Sequence, residues 1–130
     1  MSYNFNFKNM INQQNDIIDS YFNQKYNEKI SKYNFYCELP IDILEQEVVN
    51  SDNPAPTFII KRNHNCECFE GRSVPHSFII FNKKKDKPIL LSELILSFIK
   101  NENNNQFNCK HNYICDYKFI NNITIEFILN

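Results

Sequence analysis

The segment Asn50-Ser51-Asp52-Asn53-Pro54-Ala55-Pro56 divides the chain into two parts that follow different hydrophobic patterns. Two prolines among Asn, Asp and Ser residues favour neither a helix interior nor a central strand, so the chain must turn here. The spacing of apolar residues is typical of helices before this segment and mostly typical of strands after it. The chain has 130 residues, 42% of them apolar, which is enough for one buried core. The sequence therefore predicts one α+β domain over residues 1–130, with a helical part at 1–50 and a ββαββ part at 57–130.

The helical part is predicted to contain two helices. Over residues 5–33, apolar side chains recur at intervals of three and four, and Ile18, Phe22 and Tyr26 lie on this stripe. A shorter helix is predicted over residues 40–49, because its first residue is a proline, which suits the first turn of a helix. We expect the aromatic stripe of the long helix to pack as core, and the alternative is a surface for self-association or for a partner.

The ββαββ part is predicted to form a small, mainly antiparallel sheet of about four strands, covered by its own helix and by the N-terminal helices. Its clearest element is a C-terminal hairpin, in which two apolar segments flank the short link Asn121-Asn122. The intervening polar segments 63–75, 83–87 and 101–106 are predicted as loops. The predicted strands cover residues 57–62, 77–82, 113–120 and 123–129, and the predicted helix covers residues 90–100.

Two short clusters of metal-binding residue types, Cys66-Glu67-Cys68 and Cys109-Lys110-His111, flank the second predicted strand and the predicted helix. Thiolate and imidazole groups are the usual ligands of structural zinc, which takes four of them in a tetrahedral site. In an extended segment, residues two apart point to the same side, as a shared ligand pair requires. One cluster follows the end of a strand and the other precedes the start of a strand, so antiparallel neighbouring strands bring them together. The sequence predicts a zinc site formed by Cys66, Cys68, Cys109 and His111.

Other interpretations of the same residues stay open. His64 and His76 are spare candidate ligands. Alternatively, the cysteines are small buried side chains and the histidines are surface residues. Redox chemistry at Cys66 and Cys68 is disfavoured, because a neighbouring acidic residue such as Glu70 raises the pKa of a thiol.

In a reducing compartment, the cysteine count favours metal ligands or plain thiols over a disulfide framework. The chain has 5 cysteines, an odd number, and Cys37 and Cys115 lie apart from other candidate ligands beside large apolar residues. We expect these two to be structural thiols that form no disulfide with each other. A thiol-dependent enzyme would have the right residue types in Cys109, His111 and Asp116, and also in Cys66, His64 and Glu70, although catalytic groups usually converge from distant segments.

The charge of the chain gives little support to nucleic-acid binding. The formal net charge is −1, whereas nucleic-acid-binding domains usually carry a strongly basic face. The segment Lys83-Lys84-Lys85-Asp86-Lys87, with Arg62, Arg72 and Lys110, is the one candidate basic patch. Its simpler interpretation is a solvated turn between a strand and a helix.

The composition points to a type of genome and to a compartment. Asn accounts for 22 of the 130 residues, and Ile and Lys are also frequent. These three amino acids share AT-rich codons, so the composition resembles that of proteins from AT-rich genomes, such as those of giant amoebal viruses, social amoebae and malaria parasites. The N-terminus lacks the pattern of a secretion signal, and no apolar run reaches the length of a membrane span. We expect a soluble intracellular protein in the cytoplasm, or in the host cytoplasm or virion if it is viral.

Together these observations predict a small non-catalytic intracellular protein, with zinc as its candidate cofactor, that acts in protein interaction or assembly. Its partner would be another protein or a second copy of the chain. The alternatives are a nucleic-acid-binding module and a thiol-dependent enzyme. Salt-sensitive retention on nucleic acid would identify the former, and a cysteine of lowered pKa in a cleft would identify the latter.

Overall fold

The computed structural model describes residues 3–49, 57–63, 77–81, 88–104, 111–121 and 123–129, which contain both helices and strands. The α+β class is therefore confirmed. The helices are α1 (Tyr3–Tyr26), a 3-10 helix (Ile30–Tyr33), α2 (Ile41–Leu44) and α3 (Leu91–Asn104). The strands are β1 (Tyr36–Cys37), β2 (Glu47–Val49), β3 (Thr57–Asn63), β4 (Ser77–Phe81), β5 (Ile89–Leu90), β6 (Tyr113–Asn121) and β7 (Thr124–Leu129).

The main sheet has five strands in the order β1-β6-β7-β3-β4. The β6/β7 and β3/β4 pairs are antiparallel, whereas β1/β6 and β3/β7 are parallel. The sheet is therefore mixed rather than mainly antiparallel. The parallel β3/β7 pair requires a crossover, and α3 lies in the chain between these strands, as expected for such a connection. A second, two-stranded ladder pairs β2 with β5 in antiparallel orientation.

The first helix is shorter than its apolar spacing predicts. It ends at Tyr26, and Asn27 has a φ of 58°, in the left-handed region. Asn tolerates this conformation better than most residues and commonly ends helices, so the helical hydrogen bonds stop here. The apolar spacing continues because Ile30, in the separate 3-10 helix, is also buried. The prediction of one helix over residues 5–33 is wrong in its last turns.

The prediction of a helix over residues 40–49 is also wrong in part. The helix α2 spans only Ile41–Leu44, and Glu47–Val49 form β2 instead. The β-branched side chains of Val48 and Val49 favour a strand, and β5 supplies the partner that this strand needs. In contrast, α3 continues to Asn104, beyond the predicted end at residue 100. The short strands β1, β2 and β5 are absent from the predicted order, and β5 lies between the second predicted strand and the predicted helix.

The two parts of the chain share one hydrophobic core. One face of α3 is fully buried and packs toward the sheet, where the rings of Phe98 and Phe127 lie 5.4 Å apart. The α1 residues Ile18 and Phe22 belong to the same cluster, with exposures of 1% and 0%, and Tyr26 packs against it. The aromatic stripe of α1 is therefore core, as expected. The remaining large core residues include Leu44, Ile60, Leu91, Leu94, Ile95, Ile99, Ile114 and Ile125.

The C-terminal hairpin is confirmed. The strands β6 and β7 pair from Ile114 with Leu129 to Asn121 with Thr124, with irregular register near each end. The Asn121 side chain accepts a hydrogen bond from the backbone N–H of Ile123 at 2.9 Å, which stabilises the tight turn. The predicted loop at 63–75 starts at Asn63, which belongs to β3, and its remaining residues and the predicted loop at 83–87 lie outside the described residues. The predicted loop at 101–106 is wrong over residues 101–104, which belong to α3.

Candidate functional site

Of the four predicted zinc ligands, only His111 belongs to the part of the chain that the structure describes. His111 lies two residues before β6 and is half-buried. Cys66, Cys68 and Cys109, and the spare candidates His64 and His76, lie outside it. Within the described ranges, no group of three or more His, Cys, Asp or Glu side chains is arranged to hold a metal ion. The zinc site therefore stays a prediction.

The described strands nevertheless fix where the two clusters leave the sheet. The strand β3 runs parallel to β7, and β7 runs antiparallel to β6, so β3 ends where β6 starts. The sequence argument required β3 and β6 to be neighbours, but β7 lies between them. The two strands are therefore separated by about 10 Å, twice the usual spacing between strands. We call this end of the sheet, with Arg62, Glu102 and His111, the polar end.

A buried ion pair holds the polar end together. The Arg62 guanidinium lies 3.2 Å from the Glu102 carboxylate, and both side chains are almost fully buried. The same guanidinium donates a hydrogen bond to the backbone carbonyl of His111 at 3.4 Å. Arg62 therefore joins the end of β3 to α3 and to the segment before β6. Sequence reasoning missed this pair because its partners are distant in the chain and resemble ordinary surface charges.

Burial changes the pKa of the acidic residue of this pair. Removal from water raises the pKa of the Glu102 carboxyl above its usual range, and the Arg62 guanidinium opposes that shift. The pair is costly to bury unless its geometry and hydrogen bonds compensate. Such a pair fixes the relative positions of two elements more than it adds stability.

A second buried polar cluster joins α1 to the start of α3. The hydroxyls of Tyr21 and Tyr26 both bond to the Ser92 hydroxyl, and Ser92 has no solvent exposure. Burial raises the pKa of both tyrosines, so both hydroxyls stay protonated at neutral pH. Because a substrate cannot reach Ser92, this cluster is structural.

The two described cysteines are unsuited to nucleophilic chemistry. Both are free thiols in the structure, and the absence of a disulfide between them stays a prediction. Burial raises the pKa of Cys37 to about 12 and also raises the pKa of Cys115. A thiol held protonated is a poor nucleophile and a poor metal ligand. Asp116 lies in β6, five residues after His111, and its carboxylate accepts a hydrogen bond from the backbone N–H of Tyr117 at 2.8 Å.

The opposite end of the hairpin exposes apolar side chains. Phe119, Ile120 and Ile123 are 45%, 50% and 40% exposed, and we call these three residues the hairpin tip. Tyr117 and Phe119 are opposite the core residues Phe127 and Ile125 of β7, and the register is irregular between Phe119 and Asn121, where Ile120 lies. The hairpin tip thus groups three exposed apolar side chains at one end of the sheet.

One edge of β6 pairs with a described strand over only part of its length. On the side away from β7, β1 pairs only with Tyr113 and Ile114, and a last bond joins the Glu38 N–H to the Ile114 carbonyl at 2.9 Å. Among the described strands, none pairs with residues 116–121 on that side. We call this stretch the β6 edge. Such an edge is a template for pairing with another strand.

A third surface feature is an open groove between α1 and α2, with a volume of about 470 Å³. Its lining combines the exposed apolar residues Ile17 and Ile41 with Asp16, Ser20, Tyr21 and Gln24. Its polar groups do not converge on one point in a way that would identify a ligand. The groove is therefore weaker evidence for a binding site than the β6 edge.

Comparison with known proteins gives no information on the function. A scan against protein-family models, a search of curated proteins and a search of solved structures each returned no match. None of the helices in the described ranges is long and apolar enough to cross a membrane.

Proposed function

We propose that the protein is a small non-catalytic intracellular domain that acts in protein interaction or assembly, using the β6 edge and the hairpin tip. The single observation that carries this proposal is the combination of an accessible strand edge with three exposed apolar side chains at one place. Exposed apolar surface next to an accessible edge is a usual feature of sites where an extended segment adds a strand.

The chemistry of the described residues supports a non-catalytic role. The Cys37 and Cys115 thiols have raised pKa values, and Ser92 is inaccessible. The two free thiols also fit a reducing compartment inside the cell.

A peptide selection tests the interaction. A library of random heptapeptides is panned against the purified protein, and selected peptides are then measured by calorimetry. We expect the selected peptides to contain alternating apolar residues. Their affinity for the Ile120→Lys variant should be about tenfold or more lower than for the wild type, because a charge at a strand edge opposes strand addition. The matched control is Ile17→Lys, which changes an equally exposed isoleucine on α1 and should bind as the wild type does.

Two results would contradict the proposed interaction at the β6 edge. If no peptide is selected and the protein is also monomeric, the β6 edge has no binding function. If selected peptides bind Ile120→Lys as well as the wild type, the interaction site lies elsewhere.

We also propose that zinc, held by Cys66, Cys68, Cys109 and His111, stabilises the polar end. Support comes from topology, because β3 ends and β6 starts at this end. Three residues of extended chain reach about 10 Å, which is enough to bring Cys66 from Asn63 across the width of β7.

Elemental analysis tests the zinc proposal. We expect one zinc ion per purified chain, and an X-ray absorption spectrum with zinc–sulfur distances near 2.3 Å. The Cys68→Ser variant should lose zinc and unfold more readily, because a thiolate ligand is removed. The control Cys115→Ser should keep zinc. The zinc proposal is wrong if the purified wild type contains no zinc, or if the Cys68→Ser variant still binds one zinc ion per chain.

A further inference from the structure

We propose that Arg62 is a positioning residue for zinc at the polar end, because it holds the backbone of the proposed ligand His111. This inference rests on the zinc site of the proposed function and goes beyond it, since Arg62 is not itself a ligand. It follows from the place of Arg62 in β3, from its hydrogen bond to His111 and from its ion pair with Glu102.

The side chain of Arg62 spans the gap between two strands that are not neighbours. Arg62 is the last residue but one of β3, and its backbone is paired with Phe127 of β7. His111 lies two residues before β6, the strand on the other side of β7. The Arg62 guanidinium nevertheless reaches the backbone carbonyl of His111 at 3.4 Å. The end of β3 and the segment before β6 are therefore joined directly by one side chain.

The segment before β6 is held from both sides. Arg62 holds His111 from the side of β3. On the side of β1, the Asn112 side chain donates a hydrogen bond to the Asn34 carbonyl at 2.7 Å, and the Asn112 carbonyl accepts one from the Tyr36 N–H at 2.9 Å. Without Arg62, the remaining bonds hold this segment from the side of β1 and act on Asn112 rather than on His111.

The bond from Arg62 acts on the backbone of His111 and not on its ring. It therefore does not compete with zinc for the imidazole nitrogens, which are the atoms that bind this metal. A ligand whose backbone is already fixed loses less conformational entropy when the metal binds. Groups that hold a ligand in place in this way commonly change metal affinity without contacting the metal.

Glu102 fixes the direction of the Arg62 side chain. One terminal nitrogen of the guanidinium faces the Glu102 carboxylate, and the other donates to the His111 carbonyl. Because the guanidinium is planar and rigid, the position of one nitrogen sets the position of the other. The helix α3, which carries Glu102, therefore determines through Arg62 where His111 lies.

Positioning and stability can be separated in a double variant. Replacing a buried ion pair by apolar side chains of similar volume often leaves a protein as stable as before. The Arg62→Met/Glu102→Leu variant should therefore keep the fold while it removes the donor to the His111 carbonyl. If the pair only stabilises the fold, zinc affinity recovers in this variant, whereas loss of positioning keeps zinc affinity low.

Chelator competition tests the positioning role. Full-length wild type and variants, each shown to be folded by circular dichroism, are loaded with zinc and titrated with a chelator of known zinc affinity. We expect both Arg62→Met and Arg62→Met/Glu102→Leu to bind zinc about tenfold or more weakly than the wild type. The matched control is Lys61→Met, which removes an exposed cation next to Arg62 in β3 and should bind zinc as the wild type does.

A conservative variant and a second metal make the test independent of stability. Arg62→Lys keeps the positive charge opposite Glu102 but lacks the planar fork that reaches both partners, so its zinc affinity should also fall. This variant replaces the double variant if the latter does not fold. The visible absorption of bound cobalt(II) depends on the geometry of its ligands. We expect the cobalt spectrum to change in the double variant and to stay unchanged in Lys61→Met.

The outcomes separate this inference from the zinc proposal itself. If the wild type binds no zinc, the zinc proposal and the positioning role fail together. If the wild type binds zinc and the double variant binds it equally well, the zinc site stands and the positioning role of Arg62 is overturned. Weakened binding in Arg62→Met alone, with full recovery in the double variant, also overturns it, because the effect is then one of stability.

Discussion

The polar end and the hairpin tip lie at opposite ends of the main sheet. In each of them, the exposure of the side chains is the opposite of what is usual for their residue type. At the polar end, Arg62 and Glu102 are charged and only 4% and 6% exposed. At the hairpin tip, Phe119 and Ile120 are apolar and 45% and 50% exposed. Charged side chains are rarely buried without a partner, and the buried pair is explained by its internal contacts. Exposed apolar side chains that are grouped at one place are the stronger indication of a binding surface.

The largest expected effect tests whether the polar end depends on its ion pair. The Arg62→Met variant leaves the Glu102 carboxylate buried without its cation, and we expect the free energy of unfolding at pH 7 to fall by about 3–5 kcal/mol. Chemical denaturation measures this change. The loss should become smaller as the pH falls, because a protonated Glu102 tolerates burial. The double variant Arg62→Met/Glu102→Leu is the control and should recover much of the loss. Wild-type stability in Arg62→Met would contradict the structural role of the pair.

A second experiment compares two phenylalanines of the hairpin, one buried and one exposed. Phe127→Ala leaves a cavity against Phe98 and should reduce the free energy of unfolding by about 3–5 kcal/mol. Phe119→Ala should change it by only about 0.5 kcal/mol in the monomer, because its side chain is half in water. Both values come from urea unfolding at a protein concentration below that of any dimer. Equal losses in the two variants would show that the hairpin tip is part of the core.

The smallest expected effect is a pH dependence specific to the polar end. Burial raises the pKa of Glu102, so the folded protein holds this proton more firmly than the unfolded chain. The resulting stability is fully present below the unfolded-state pKa and is lost as the pH rises through the folded-state pKa. The stability of the wild type relative to Glu102→Gln should therefore fall as the pH rises above about 4, the ordinary pKa of a glutamate side chain. A difference that grows with pH would mean that attraction by Arg62 outweighs burial.

The sequence predicts the elements whose pattern is local. The β6/β7 hairpin combines strand-period alternation with a turn-forming Asn pair, and the apolar face of α3 repeats over several turns. In contrast, Asn27 ends α1 by adopting a positive φ, and nothing distinguishes it in sequence from the many other Asn residues. The strand β2 depends on pairing with β5, a two-residue strand that has no periodicity of its own. Tertiary pairing, rather than local preference, decides such elements.

The candidate sites also differ in how well the sequence predicts them. The four predicted zinc ligands are recognisable by residue type and spacing, and their convergence stays a prediction. The Arg62–Glu102 pair depends on partners 40 residues apart. Because a single sequence gives no signal for such a contact, only the fold could reveal it. The hairpin tip was predicted as strand, but its exposure depends on how far β1 extends along β6.

The position of β7 in the sheet has a consequence for how the chain is made. The strand at the centre of the sheet, between β6 and β3, is also the last strand in the sequence. As the chain leaves the ribosome, β3 and β4 can form only a lone hairpin, and α3 has no complete sheet to pack against. The core therefore closes in one late step, after residue 129 has emerged. Until then the nascent chain exposes its apolar segments, and it should depend on chaperones more than a protein whose central strands are made first.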